Sequence, residues 1–312
     1  MSDFQLTQYR DRVVSQCETV IVGKREVIER VLISFLCGGH ILLEDVPGTG
    51  KTMLLRAFAA TIGGSFKRVQ CTPDLLPSDL TGINFYNQKL GEFQFRPGPL
   101  FAHLVLADEI NRATPRTQSA LLEAMAERQV TVDGETHALP EPFMIMATQN
   151  PLESHGTFPL PEAQCDRFFM RLSLGYMERA QEFSVLTGTD TAQIISTLSP
   201  VVTPEETAQA MRAVRDVEVT PDVTEYLLDL VTATRNDARV RIGVSTRGAL
   251  ALFAASRAHA ALAGRSYVMP EDVKALAPCV LAHRIVAAGA SRAAERAEII
   301  EELLGSCRVP LE

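Results

Sequence analysis

The sequence predicts an α/β fold, a parallel sheet covered by helices, followed by an all-helical second domain. Three observations carry this. Residues 41–62, ILLEDVPGTGKTMLLRAFAATI, read as an apolar strand, a glycine-rich turn and a helix. Residues 104–109, LVLADE, are apolar on both faces before ending in two acids, the pattern of a strand buried within a parallel sheet. From residue 200 onward every start signal is that of a helix.

Bulk properties narrow the class. A chain of 312 residues is long enough for about two domains and a sizeable core. Its 46% hydrophobic and 22% charged residues are ordinary for a globular protein. A net charge of −8 argues against a general binder of nucleic acid or anionic membrane. The opening MSDFQLTQYRDR is too polar for a secretory signal. The most apolar stretch, Val31 to Leu43, is broken by Gly38, Gly39 and His40 and is too short to span a bilayer, so no membrane insertion is expected. Cys17, Cys37, Cys71, Cys165, Cys279 and Cys307 form no CxxC pair, and no HExxH exists. They read as small buried thiols in a reducing cytoplasm, without a structural metal.

Taken in order, residues 3–18 place Phe4, Leu6, Tyr9, Val13, Val14 and Cys17 near one face of a helix, and IVGKREVIERVLISFL gives a second. The strand Ile41–Glu44 then meets EDVPGTGKT. Gly48 and Gly50 let the backbone curl so that bare amides at a helix N-terminus face a polyphosphate, with the positive end of the helix dipole behind them. Asp45, Val46, Pro47, Gly48, Thr49, Gly50, Lys51, Thr52 and Met53 form this loop and the first helical turn. Lys51 is suited to the β and γ phosphates of ATP and Thr52 to the bridging Mg2+. Asp45 stands where GxxxxGK[ST] has its first glycine, and this departure leaves open a turn that merely contains Gly, Gly and Lys. Gly63 and Gly64 close the helix, and residues 67–71 give a second strand.

Residues 83–95 read as a β-hairpin around Asn87 and Gly91, or as a surface loop. Asp108, at the carboxyl end of its strand, is suited to hold magnesium, directly or through water, and Glu109 to polarise a water for attack on the γ phosphate. Thr114 and Pro115 start a helix with Leu121, Leu122 and Met125 inward. A hairpin with Asp133 and Gly134 at its tip follows, and then a strand over residues 143–150. Asn150 either orients the attacking water or only forms a turn before Pro151. Arg167 precedes another apolar strand. In an isolated subunit it is a surface ion-pair former, and in a ring it would face the neighbour's phosphate.

The expected organisation is a core over residues 1–187, a linker over 188–199 rich in small and polar residues, and a helical domain over 200–312. Thr203, Pro204 and Glu206 make a capping box, Thr220 precedes Pro221, and Pro270 precedes Glu271 and Asp272. Alanine-rich runs over 249–263 and 286–298 suit closely packed helices. GVSTRG puts Arg247 at the start of a helix, either as a site residue or as an exposed capping-region arginine.

EDVPGTGKT, LVLADEINRATPRTQSALLEAMAER, VTVDGETHALPEPFMIMATQNP, FPLPEAQCDRFFM and GVSTRG together resemble the MoxR family of AAA+ ATPases, from about residue 15 to the end of the helical lid. The resemblance implies a three-layer α/β/α P-loop core with a five-stranded parallel sheet, a helical lid, and assembly into a homo-oligomeric ring, usually a hexamer. It maps Gly48, Gly50, Lys51 and Thr52 to the phosphate loop, Asp108 and Glu109 to the Walker B acids, and Asn150 to sensor 1. Arg167 maps to the arginine finger and Arg247 to sensor 2. Val22, Gly23 and Lys24 are similar to the adenine-side motif, with Lys24 where glutamine is frequent. The two hairpins look like the helix-2 insert and the pre-sensor-1 hairpin. The family further implies a partner with a von Willebrand factor A domain and a client complex that is matured, for instance by cofactor or metal insertion. Alternatives are a nucleotide-controlled scaffold and a nucleic-acid motor, the latter weakened by the acidic balance and the absence of basic tails.

Overall fold

The computed structural model describes residues 5–46, 48–149, 156–187, 191–288 and 293–310. Helices α1 (Leu6–Glu18) and α2 (Arg25–Leu36) precede strand β1 (Ile41–Glu44), helix α3 (Lys51–Ile62) and strand β2 (Phe66–Gln70). A short helix α4 (Pro77–Thr81) leads into the hairpin β3 (Gly82–Asn87) and β4 (Glu92–Pro97). Next come β5 (Leu104–Asp108), α5 (Pro115–Glu127), the hairpin β6 (Gln129–Val132) and β7 (Glu135–Ala138), and β8 (Met144–Gln149). One turn of helix, α6 (Glu162–Cys165), introduces β9 (Met170–Leu172).

The main sheet has five strands in the order β2-β5-β8-β1-β9, all parallel. Side chains alternate across it with the strand period of two. Ile41, Leu43, Leu104, Leu106, Met144 and Met146 join the core with α1, α2 and α3. Leu42, Val105, Ala107, Ile145 and Ala147 face the other way, onto Leu121, Leu122 and Met125 of α5. Both faces are therefore covered, which is why these strands read as unbroken apolar runs. α5 opens as its sequence predicts, with the Thr114 hydroxyl accepting from the Thr117 amide at 3.4 Å and Pro115 in the first turn.

Both expected hairpins form. Asp133 (φ 50°) and Gly134 (φ 87°) make the left-handed two-residue turn that the sequence pair favours. The hairpins lean on each other. Asn84 donates to Asp133 at 3.0 Å, and the rings of Phe95 and His137 stack with centroids 4.0 Å apart.

Helices α7 (Arg179–Thr187) and α8 (Thr191–Thr197) follow β9. Part of the stretch expected as a linker is thus helix. Its apolar Ile195 is buried in the main core, and close by the Val201 amide donates to the Thr61 carbonyl at 2.9 Å. The remaining elements are α9 (Pro204–Arg215), α10 (Pro221–Asn236), β10 (Val240–Ile242), α11 (Thr246–Leu262), α12 (Pro270–Leu281), β11 (Val286–Ala287) and α13 (Ala293–Ser306). Capping holds where the sequence signals it. Thr203 and Glu206 exchange bonds at α9, and Asp272 accepts from the Met269 amide at the start of α12. To the expected helices the structure adds one antiparallel pair, β10 with β11, so the alanine-rich run from 286 begins as strand before α13. The helical part shares its core with the sheet, since Tyr9 of α1 bonds Thr207 of α9 at 3.0 Å and α11 packs on α1 and α2.

Candidate active site

β1 lies inside the sheet, with β8 and then β5 beside it, so the carboxyl ends of these three strands open onto one crevice. Gly48 and Gly50 have φ of 85° and 89°, in the left-handed region, and a Cβ added to either would meet nothing within 4 Å. Glycine is needed there for backbone direction, and the space in front of the turn is open. α3 starts at once after Gly50. The Lys51 ammonium reaches back across the turn to the carbonyls of Asp45 at 3.2 Å and Val46 at 3.1 Å, and the buried Thr49 hydroxyl donates to Val46 at 3.4 Å.

A cavity of about 420 Å³ is lined by Gly48, Thr49, Gly50, Lys51, Thr52 and Met53 on one side and by Asp108, Glu109, Thr148, Arg68 and Gln70 on the other. The loop and the two acids, more than fifty residues apart in sequence, thus share one cleft. Pro47 and Asn150 lie outside the described residues.

The acids are held by groups that sequence reasoning did not single out. Thr148, on the strand between loop and acids, donates to Asp108 Oδ1 at 2.6 Å and accepts from the Glu109 amide at 2.8 Å. Glu109 itself has φ 57° and ψ 52°, a left-handed backbone that disfavours a side chain and that the Thr148 bond helps to hold. Its Oε2 accepts from Gln70 at 2.9 Å and pairs with Arg112 at 3.1 Å. Arg68 donates to Asp108 Oδ2 at 2.6 Å. The only sequence signal for Arg68 and Gln70 is that both are polar on one face of β2, flanking the buried Val69, and its meaning depends on the pairing of Gln70 with Asp108.

Asp45 explains the departure from the glycine pattern. Its carboxylate is buried and accepts from Ser173 Oγ at 2.8 Å, Leu174 N at 2.6 Å and Gly175 N at 3.1 Å. The side chain pins the loop entrance to the segment after β9. That segment continues to Tyr176, whose carbonyl takes the Lys24 ammonium at 2.8 Å, and to Gln181, whose side chain covers Gly23. Val22 and Gly23 are thereby linked to the loop side through residues 173–181, although they do not line the cavity.

Arg167 and Arg247 stand elsewhere. Met170 pairs with Ile41, the first residue of β1, so the exposed Arg167 lies at the amino edge of the sheet. The phosphate loop leaves from the carboxyl edge, beyond the four residues of β1, a span of about 13 Å at ~3.3 Å per residue. Arg247, in the first turn of α11, has Nη1 3.7 Å from Asp166 Oδ2 and is 60% exposed. The two arginines share one face, and neither lines the cavity of its own chain.

Among the described residues no cluster of three or more His, Cys, Asp and Glu side chains exists to cage a metal. The donor set instead fits a magnesium nucleotide: a left-handed glycine turn capping a helix, a lysine, the Thr52 hydroxyl and the Asp108 carboxylate.

The chain matches the ATPase family associated with various cellular activities (AAA) over residues 40–170 and the AAA lid domain over residues 232–303. It is 47% identical over 303 residues to the uncharacterized protein YeaC of Bacillus subtilis, covering 96% of this chain and 95% of that one. With chaperone MoxR1 of Mycobacterium tuberculosis it shares 41% identity over 290 residues, 88% of this chain and 75% of the relative. A crystal structure from Cytophaga hutchinsonii, of a protein proposed to be an ATPase, superposes with a TM-score of 0.89 at 38% identity, covering 98% and 97% of the two chains.

Proposed function

Because the chain belongs to the MoxR family of AAA+ ATPases, and so binds nucleotide and hydrolyses ATP, we propose that each protomer carries half of a hydrolytic site and that turnover requires a ring of copies. The observation that carries this is the position of Arg167 at the sheet edge opposite the phosphate loop. An arginine there can reach a γ phosphate only on an adjacent copy.

Bound ATP and Mg2+ supply the γ-phosphoryl group and the cation that neutralises its oxygens. The amides of the Gly48–Lys51 turn and the Lys51 ammonium hold the phosphates, while Thr52 and Asp108 hold the metal. Glu109 accepts the proton of the attacking water as general base. Arg167 and Arg247 of the neighbour offset charge on the γ phosphate, Asn150 orients the water, and the segment Val22–Gly23 borders the adenine. An arginine in this role is worth about three to five orders of magnitude in rate in related transfers, so an isolated copy turns over slowly.

Turnover drives chaperone-like remodelling or maturation of a client complex in the cytoplasm, together with a partner bearing a von Willebrand factor A domain. Support comes from the MoxR1 relative, which is named a chaperone, and from six cysteines that are all free thiols. A mixing experiment tests the shared site. Arg167→Ala and Lys51→Ala are each expected to be inactive, and mixing them restores turnover where one copy's loop meets the other's arginine. A mixture as inactive as its components would refute the shared site.

A further inference from the structure

Among the described residues, Arg68 is the one charged group facing the cavity to which the hydrolytic scheme gives no role. It lies on the edge strand β2, and its guanidinium is aimed at a single oxygen. Nη2 and Nε donate to Asp108 Oδ2 at 2.6 and 3.2 Å. The other oxygen, Oδ1, takes the Thr148 hydroxyl at 2.6 Å. Arg68 Nη2 also donates to Gln70 Oε1 at 3.2 Å, and Gln70 Nε2 donates to Glu109 Oε2 at 2.9 Å. A single chain of bonds, Thr148–Asp108–Arg68–Gln70–Glu109, therefore spans both acids.

Two consequences follow from the chemistry. Oδ2 of Asp108 takes two N–H donors from Arg68, so that oxygen opens to a metal ion only when Arg68 lets go of it. The Gln70 amide is oriented at its oxygen end by Arg68, which is what points its nitrogen at Glu109. Arg68 is 49% exposed, so it can turn into solvent or toward phosphate oxygens at small cost, whereas Asp108 is 13% exposed and fixed by Thr148.

We propose that Arg68 is a positioning residue that serves as a stand-in cation on Asp108, competing with magnesium for its Oδ2. This rests on the assignment of Asp108 as magnesium ligand.

The test is equilibrium binding of a fluorescent, non-hydrolysable ATP analogue to the full chain across a magnesium titration, so that turnover does not enter the readout. Arg68→Ala is expected to lower the magnesium midpoint by roughly 3- to 10-fold, the scale of one lost charge-assisted competitor. Arg68→Gln serves as a second uncharged variant should the alanine protein fail to fold, and carries the same expectation. Gln70→Ala, which leaves the Arg68–Asp108 pair in place, keeps the parental midpoint. A midpoint unchanged or raised without Arg68 would overturn the inference and leave the ATPase reading intact. Analogue binding by the parent with no dependence on magnesium would overturn both.

Discussion

Arg284 and Asp166 form an ion pair at 2.6 Å that fastens the end of α12 to the segment just before β9. The arginine side chain is 2% exposed, and its other terminal nitrogen donates to the Phe168 carbonyl at 2.7 Å. Asp166 also accepts from Ser245 at the cap of α11, and Arg247 stands 3.7 Å away. One carboxylate thus places the helical part and the Arg167 turn on a common face. Arg284→Ala strips the Asp166 carboxylate and the carbonyls of Asp166, Phe168, Phe169 and Val280 of a buried partner and is expected to cost about 3 to 5 kcal/mol, read as a lower urea midpoint.

Asp45 predicts an outcome that motif comparison would get backwards. Replacing it with glycine restores the usual loop pattern but removes the acceptor for Ser173, Leu174 and Gly175. Asp45→Gly and Asp45→Ala should each lose about 3 kcal/mol of stability and weaken nucleotide binding, as measured by denaturation and analogue titration. A glycine variant as stable as the parent would contradict the role assigned to this carboxylate.

Glu109→Gln should lower ATP turnover by about two to four orders of magnitude while nucleotide binding persists, since the amide keeps the shape but lacks the basicity of the carboxylate proposed to take the water's proton. Phosphate release and analogue binding, measured on the same preparation, separate the two effects.

Stability should fall in mild acid through His40. Burial pulls its pKa down to about 4 from 6.5, against the Met125 carbonyl at 3.0 Å, and Nδ1 accepts from the Ile145 amide. The unfolded chain takes a proton below pH 6.5, whereas the folded chain resists until about pH 4. Stability present at pH 7 is therefore lost across that window, by about 3 kcal/mol. Urea curves at several pH values should show this slope, and a His40→Gln variant should show a shallower one, because burial also holds the His283 pKa well below the usual imidazole value.

Much of the fold can be read from local pattern. The strands around Leu42 and Val105, the caps at Thr114 and Thr203, and the turn at Asp133–Gly134 depend on residues close in sequence, so the chain announces them. The helix at Thr191–Thr197 escaped because its few apolar residues acquire meaning only where the core receives Ile195.

By itself the sequence determined that a glycine turn enters a helix and that two acids end an apolar strand, because backbone preference and side-chain period act over a few residues. Tertiary structure alone decided that Arg68, Gln70 and Thr148 surround those acids, that Asp45 fastens the loop to residues 173–175, and that Arg167 lies at the far edge. Each of these depends on which strands pair and in what register, which no residue specifies alone. The order β2-β5-β8-β1-β9 brings the loop and the acids together and leaves Arg167 and Arg247 outside the cavity that loop and acids line.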